Sequence, residues 1–195
     1  MWLNENTIGK LEGLEKCTAL RSLYISHNLI RKIEGLDTLG RLETLWLCDN
    51  KIEVLENLEK LQSIKQLWIA GNQIEYIKTS LDSLTNLVDL NLSGNKIRSF
   101  KEALNLNRLP NLKILSFYDP HFGENPICNL CNYQTYVLYH LRNISKLDTL
   151  AISEDDKAFS ESTYICKKMY YNMRIKTMQR RYPKYYLASQ LLKSL

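Results

Sequence analysis

Four stretches decide the fold: LYISHN (Leu23–Asn28), LWLCDN (Leu45–Asn50), LWIAGN (Leu67–Asn72) and LNLSGN (Leu90–Asn95). A shorter version, WLNEN (Trp2–Asn6), precedes them. Their closing residues Asn6, Asn28, Asn50, Asn72 and Asn95 are spaced by 22, 22, 22 and 23 residues. A fixed period of this size marks stacked units, each covering the apolar face of its neighbour. Within each stretch apolar residues alternate, the period of a short strand with one buried face. The inward pairs are expected to be Leu23/Ile25, Leu45/Leu47, Leu67/Ile69 and Leu90/Leu92. Ile30/Ile33, Ile52/Leu55, Ile74/Ile77 and Ile97/Phe100 are expected to close the core from the other side. The recurring asparagines suit a buried polar ladder, because one amide both donates to and accepts from turn backbone.

Working outward, Leu-x-x-Leu-x-Leu-x-x-Asn-x-Ile recurs over residues 2–117, followed by Ile-Glu-Gly-Leu (Ile33–Leu36) or Leu-Glu-Asn-Leu (Leu55–Leu58). This form resembles the SDS22-like class of leucine-rich repeats. The resemblance implies an α/β right-handed solenoid of about six repeats. Its concave side would be a parallel sheet and its convex side short helical or 3-10 segments. At Pro120 the next asparagine is missing, and a residue without an N–H is read as the end of the regular pattern. Tyr133, Tyr136, Val137, Leu138, Leu141, Ile144 and Leu147 then fall at helical spacing, as in a closing cap. The expected division is repeats over 1–120, a cap over 121–150, a basic amphipathic helix over 151–182 and a tail over 183–195. Phe159, Thr163, Cys166, Tyr170 and Met173 form the stripe of that helix. ICNLCNYQTYVLYHL (Ile127–Leu141), KLDTL (Lys146–Leu150) and KKMYYNMRIK (Lys167–Lys176) are similar to leucine-rich repeat-containing protein nine. That likeness implies a non-catalytic scaffold or adaptor in a cilium or axoneme. Members of that family are longer, and no polar cap precedes Trp2, so the chain is expected to be one block of a larger protein.

The net charge of +5 is uneven. Residues 163–195 hold Lys167, Lys168, Arg174, Lys176, Arg180, Arg181, Lys184 and Lys193 and no acid, which leaves the first 162 residues mildly acidic. No apolar run is long enough for a transmembrane helix, and the first residues lack the pattern of a signal peptide. The expected setting is therefore the cytoplasm, with the 5 cysteines as reduced thiols and no membrane partner.

The sharpest functional signal lies between the inward leucines of each strand: Trp2, Tyr24, Trp46, Trp68, Asn91 and Ser116. Strand alternation turns this column away from the core, and an exposed aromatic ridge marks an interaction surface. The competing reading is rings that stack on one another to stiffen the sheet. A flanking column, Glu5, His27, Asp49, Gly71, Gly94 and Asp119, offers acids beside the ridge. Its glycines would leave room for a segment bearing Lys or Arg to cross. The expected contacts are thus Trp2, Tyr24, Trp46, Trp68, Asn91, His27 and Asp49, on a domain that is itself monomeric. The basic helix is a second candidate contact for an acidic protein. Nucleic acid is disfavoured, since no RNA-binding motif accompanies the charge. Cys128-x-x-Cys131 with His121 and His140 has the ligand count of a zinc site but lacks a second close pair, and no metal or cofactor is expected. No phosphate loop, nucleophile elbow or His-Glu-x-x-His is present, so no enzyme is expected. Two alternatives stay open, a regulatory subunit of a protein phosphatase and a component of an RNA–protein particle.

Overall fold

The computed structural model describes residues 1–181. The chain is an α/β solenoid in which short parallel strands stack in sequence order. β1 (Ser22–Tyr24), β2 (Thr44–Trp46), β3 (Gln66–Trp68), β4 (Asp89–Asn91) and β5 (Ile114–Ser116) are joined side by side. Trp2 pairs with Tyr24 through a single parallel bridge. The register carries Leu23, Leu45, Leu67, Leu90 and Leu115 into one row, and all of them are fully buried. Ile25, Leu47, Ile69, Leu92 and Phe117 make a second buried row just beyond the strand ends. Each repeat thus buries its apolar face only against its neighbours, and the core is one continuous column.

The asparagine ladder has a repeating hydrogen-bond set. The Asn72 amide donates to Leu47 O (2.9 Å), Ile69 O (3.1 Å) and Ala70 O (3.0 Å), while its oxygen accepts from Ile52 N (3.0 Å). Asn28, Asn50 and Asn95 repeat this pattern. Asn6 makes only the two local bonds, to Leu3 O and Asn4 O, and is exposed.

Two expectations are corrected after the fourth strand. Pro120 does not end the pattern. It sits in the turn of an inserted antiparallel hairpin, β6 (Tyr118–Asp119) with β7 (Gly123–Glu124). The rung is resumed beyond it by Asn125, fully buried, whose amide donates to Leu92 O and Phe117 O (both 2.8 Å) and accepts from Ile97 N (3.0 Å). Phe100 is only half-buried. It opens α1 (Phe100–Asn105), capped by Ser99, and that helix sends Ala103 into the core while Phe100 stacks on Tyr136 at 4.1 Å.

The last rung is an acid. The Asp148 carboxylate accepts from Phe117 N (2.8 Å), Tyr118 N (2.9 Å) and the Tyr133 hydroxyl (3.1 Å). It stands between β8 (Lys146–Leu147), which extends the parallel sheet, and β9 (Leu150–Ala151), which turns back antiparallel. Burial raises the Asp148 pKa despite those backbone donors, and burial followed by the nearby Asp148 charge raises that of Tyr133. Helix α2 (Tyr133–His140) closes this end of the core with Tyr133, Val137 and Leu138.

Helix α3 (Glu154–Arg181) leans on α2 and runs on past it. Ser153 caps it: its hydroxyl accepts from Asp156 N (3.1 Å) and its own N–H donates to the Asp156 carboxylate (2.8 Å). The Phe159–Met173 stripe is largely outside, with Phe159 71% exposed and Tyr170 and Met173 also exposed. The face turned to the cap is instead Lys157, Ser160, Glu161, Thr163 and Tyr164. Aromatic and ionic contacts set that choice: Tyr164 stacks on Tyr139 at 4.0 Å and Glu161 meets Arg142 at 2.6 Å. The tail over 183–195, with Tyr182, lies outside the described residues.

Candidate protein-binding surface

The residue that follows the central leucine of each strand points to the concave side, and the parallel register aligns Tyr24 with Trp46 and Trp46 with Trp68. Neighbouring parallel strands lie about 4.8 Å apart, close to the preferred separation of stacked rings. The rings form an unbroken row. Trp2 stacks on Tyr24 at 4.1 Å, Tyr24 meets Trp46 edge-on at 4.9 Å, and Trp46 lies parallel to Trp68 at 4.5 Å with 5° between planes. The indole N–H of Trp46 donates to Gln66 Oε1 and that of Trp68 to the Asp89 carboxylate, both at 3.2 Å. Tyr24, Trp46 and Trp68 are half-buried, and Trp2 is 72% exposed. One broad apolar face is therefore presented to solvent while the indole N–H groups of Trp46 and Trp68 are satisfied.

Asn91 does not belong to this surface. It occupies the next place in the register but is only 4% exposed, and its side-chain oxygen turns back to accept from Ser93 N (3.0 Å) and Ser93 Oγ (2.6 Å). Ser116 beyond it is also buried. A short amide reaches the following turn where an indole cannot, so the ridge ends at Trp68.

The flanking column adopts the left-handed conformation at Glu5, His27, Asp49, Gly71 and Gly94, with φ between 49° and 63°. That geometry disfavours most side chains and turns these residues outward past the strand ends. The room expected above the two glycines is taken by the chain itself. A Cβ at Gly94 would lie 2.2 Å from the Phe122 carbonyl oxygen, and one at Gly71 would lie 2.2 Å from Asp49 Oδ1. The β6–β7 hairpin thus folds back over this column, and Gly94 N donates to Gly123 O at 3.1 Å. No segment crosses there without displacing it. His27 Nδ1 stands 3.4 Å from Asp49 Oδ2, and the hairpin brings His121 to the same pair, with one ligand atom of each residue within 4.8 Å of the others. Sequence reasoning missed this gathering. The 22-residue spacing joined His27 to Asp49, but nothing in the pattern announced the hairpin that carries His121.

The residues weighed as a zinc set are not brought together. His140 is ringed by Tyr136, Tyr139 and Tyr164, and burial with nearby Lys168 holds its pKa down. Cys131 is exposed, while Cys128 is half-buried with its thiol pushed up to about 11 by burial. Lys167, Lys168, Arg174, Lys176, Arg180 and Arg181 are all exposed along α3. Lys167 reaches Asn132, and with Lys168 it borders a cleft of about 360 Å³ lined by Phe100, Tyr136, Tyr164 and Tyr171. Among the described residues no helix is long and apolar enough to cross a membrane.

A family model described as leucine-rich repeat matches residues 35–174, and one described as two copies of leucine-rich repeats matches residues 1–38. The chain belongs to the leucine-rich repeat family. Among solved structures it is similar to a chain of the SNF/U2A′ complex of Drosophila melanogaster, at 26% identity over 68% of this chain and 75% of that one, with a TM-score of 0.62. It shares the fold of an internalin from Listeria monocytogenes, at 24% identity, 75% of this chain and 40% of that one, TM-score 0.62. A leucine-rich repeat protein of Leptospira interrogans matches at 24% identity, 80% of this chain and 38% of that one, TM-score 0.60. The chain therefore spans about two fifths of the length of the latter two. Leucine-rich repeat solenoids present an extended concave surface that is used for binding.

Proposed function

We propose that this protein is a non-catalytic scaffold that holds a protein segment along the concave ridge of Trp2, Tyr24, Trp46 and Trp68. The observation that carries the reading is the unbroken row of rings, each within 4.9 Å of the next, on the exposed side of the sheet. Ring stacking accounts for the rigidity of the row and leaves its outward apolar face without a partner. Trp and Tyr are the usual energetic anchors of interfaces, and pre-stacked rings lose little freedom when covered. The segment it fits is an amphipathic helix or extended peptide lying across β1 to β3. One edge of that track is bounded by the column that holds His27 and Asp49. The likeness to a chain of a two-protein complex supports a partner-holding role.

A cilium or axoneme setting is part of this reading, supported by the resemblance to leucine-rich repeat-containing protein nine, and the exposed basic residues of α3 would serve as a second contact for an acidic protein surface. Affinity capture on the intact chain tests the reading, with Trp46→Ala/Trp68→Ala as the probe. Retained cytoskeletal proteins that disappear with the variant support it. A retained phosphatase catalytic subunit, or a set of proteins released by nuclease, would replace it with one of the two alternatives.

A further inference from the structure

We propose that His27, Asp49 and His121 bind a divalent first-row transition-metal ion, which pins the β6–β7 hairpin onto the repeats. One ligand atom from each of the three side chains lies within 4.8 Å of the other two, and His27 Nδ1 and Asp49 Oδ2 are 3.4 Å apart. Ligand atoms on a tetrahedral zinc ion are about 3.3 Å from one another, given bonds of about 2.0–2.1 Å. The first pair already has that separation, and His121, on an exposed hairpin, closes the remainder by a rotamer change. Two imidazoles with one carboxylate exclude the oxygen-only chemistry of calcium and magnesium and suit zinc and its neighbours in the first transition row. Three protein ligands leave a fourth position for water.

The backbone holds all three in place. His27 and Asp49 occupy the same place in successive repeats, both left-handed, and their N–H groups bind the next turn at Cys48 O and Ala70 O, each at 2.9 Å. His121 is set by its own N–H donating to Asp119 Oδ1 (2.9 Å) and by the Phe122 carbonyl resting over Gly94. Earlier repeats complete their asparagine rung with no insertion, so the stacking itself does not require the hairpin. Its glycine-lined bed and the delivery of His121 to an existing His–Asp pair are together explained by an ion. The ion-binding test needs no partner, so its outcome is independent of the scaffold reading.

The test titrates zinc, and in parallel cobalt, into untagged, chelator-treated full chain. The expected result is one ion per chain, a cobalt spectrum without thiolate charge-transfer bands, and a thermal midpoint raised by zinc. His121→Ala and His27→Ala should each weaken binding about tenfold or more, since loss of mere supporting groups around a metal already costs about 10–100-fold. His121→Ala should keep the metal-free midpoint of the wild type, since that side chain is exposed. Cys131→Ser/Cys166→Ser should leave binding intact. No saturable ion, undiminished binding in His121→Ala, or loss of binding in the cysteine variant would each overturn the assignment.

Discussion

Replacing Asn125 with alanine should cost far more stability than its irregular position in the sequence implies. The wild-type amide makes three bonds, to Leu92 O, Phe117 O and from Ile97 N, at a fully buried site. The two carbonyls keep other donors after the change: Asn95 Nδ2 still reaches Leu92 O at 2.9 Å, and Asn125 N still reaches Phe117 O at 3.0 Å. Only Ile97 N–H is left buried and unpaired. One orphaned donor costs about 1–3 kcal/mol and each of the two lost bonds to a satisfied carbonyl about 0.5–1.5 kcal/mol, so the total is about 2–6 kcal/mol. The thermal midpoint should fall by on the order of 10 °C in a chain of this size. Urea unfolding followed by circular dichroism measures it, with Asn6→Ala as the internal reference. Asn6 is exposed and makes only local bonds, so its loss should cost less than about 1 kcal/mol. Equal costs for the two variants would refute the assignment of Asn125 as a rung of the ladder.

Gly94→Ala and Gly71→Ala should differ although both sit at left-handed φ. At Gly94 the new methyl meets a backbone carbonyl and must displace the hairpin, for about 2–4 kcal/mol, whereas at Gly71 it meets the end of the Asp49 side chain, which swings aside, for about 1–2 kcal/mol; the order of the two urea midpoints decides. Asp148→Asn should stabilise the chain at neutral pH. Burial raises the folded pKa of this carboxyl, so its stability contribution is full below the unfolded pKa of about 4 and is lost as pH rises through the folded value. The advantage of the variant should shrink on acidification, and urea curves at about pH 4 and about pH 7.5 showing a widening gap would contradict the sign.

The repeat architecture was legible because every determinant recurs at short range. Leucine alternation, the Asn after each strand and the 22-residue step are enough to stack the turns. The aromatic column was legible for the same reason, since strand alternation and in-register stacking follow from the period alone. Asn91 was misplaced because alternation gives the direction of a side chain and not its reach, and a short amide can fold back onto Ser93. The hairpin was unreadable because Tyr118–Glu124 has no counterpart in the other repeats, and Pro120 there has the same composition signal as a terminus. The packed face of α3 was not legible because its apolar residues do not choose the interface. Tyr164 on Tyr139 and Glu161 on Arg142 chose it instead, leaving Phe159 and Met173 outside.

The proposed docking of a partner on the ring row has a direct contrast in the convex side of the same solenoid. Quantitative affinity capture from cells on wild type, Trp46→Ala/Trp68→Ala and a convex control, Tyr76→Ala, tests it most directly, since Tyr76 is exposed on the returning segment away from the sheet. Stacked pairs contribute about 0.5–1.5 kcal/mol, so the double variant should remain folded, and circular dichroism on the same preparations verifies that. The proteins retained by wild type and Tyr76→Ala should fall about tenfold or more with the double tryptophan variant, as loss of central interface anchors requires. Equal retention by all three folded proteins would contradict it.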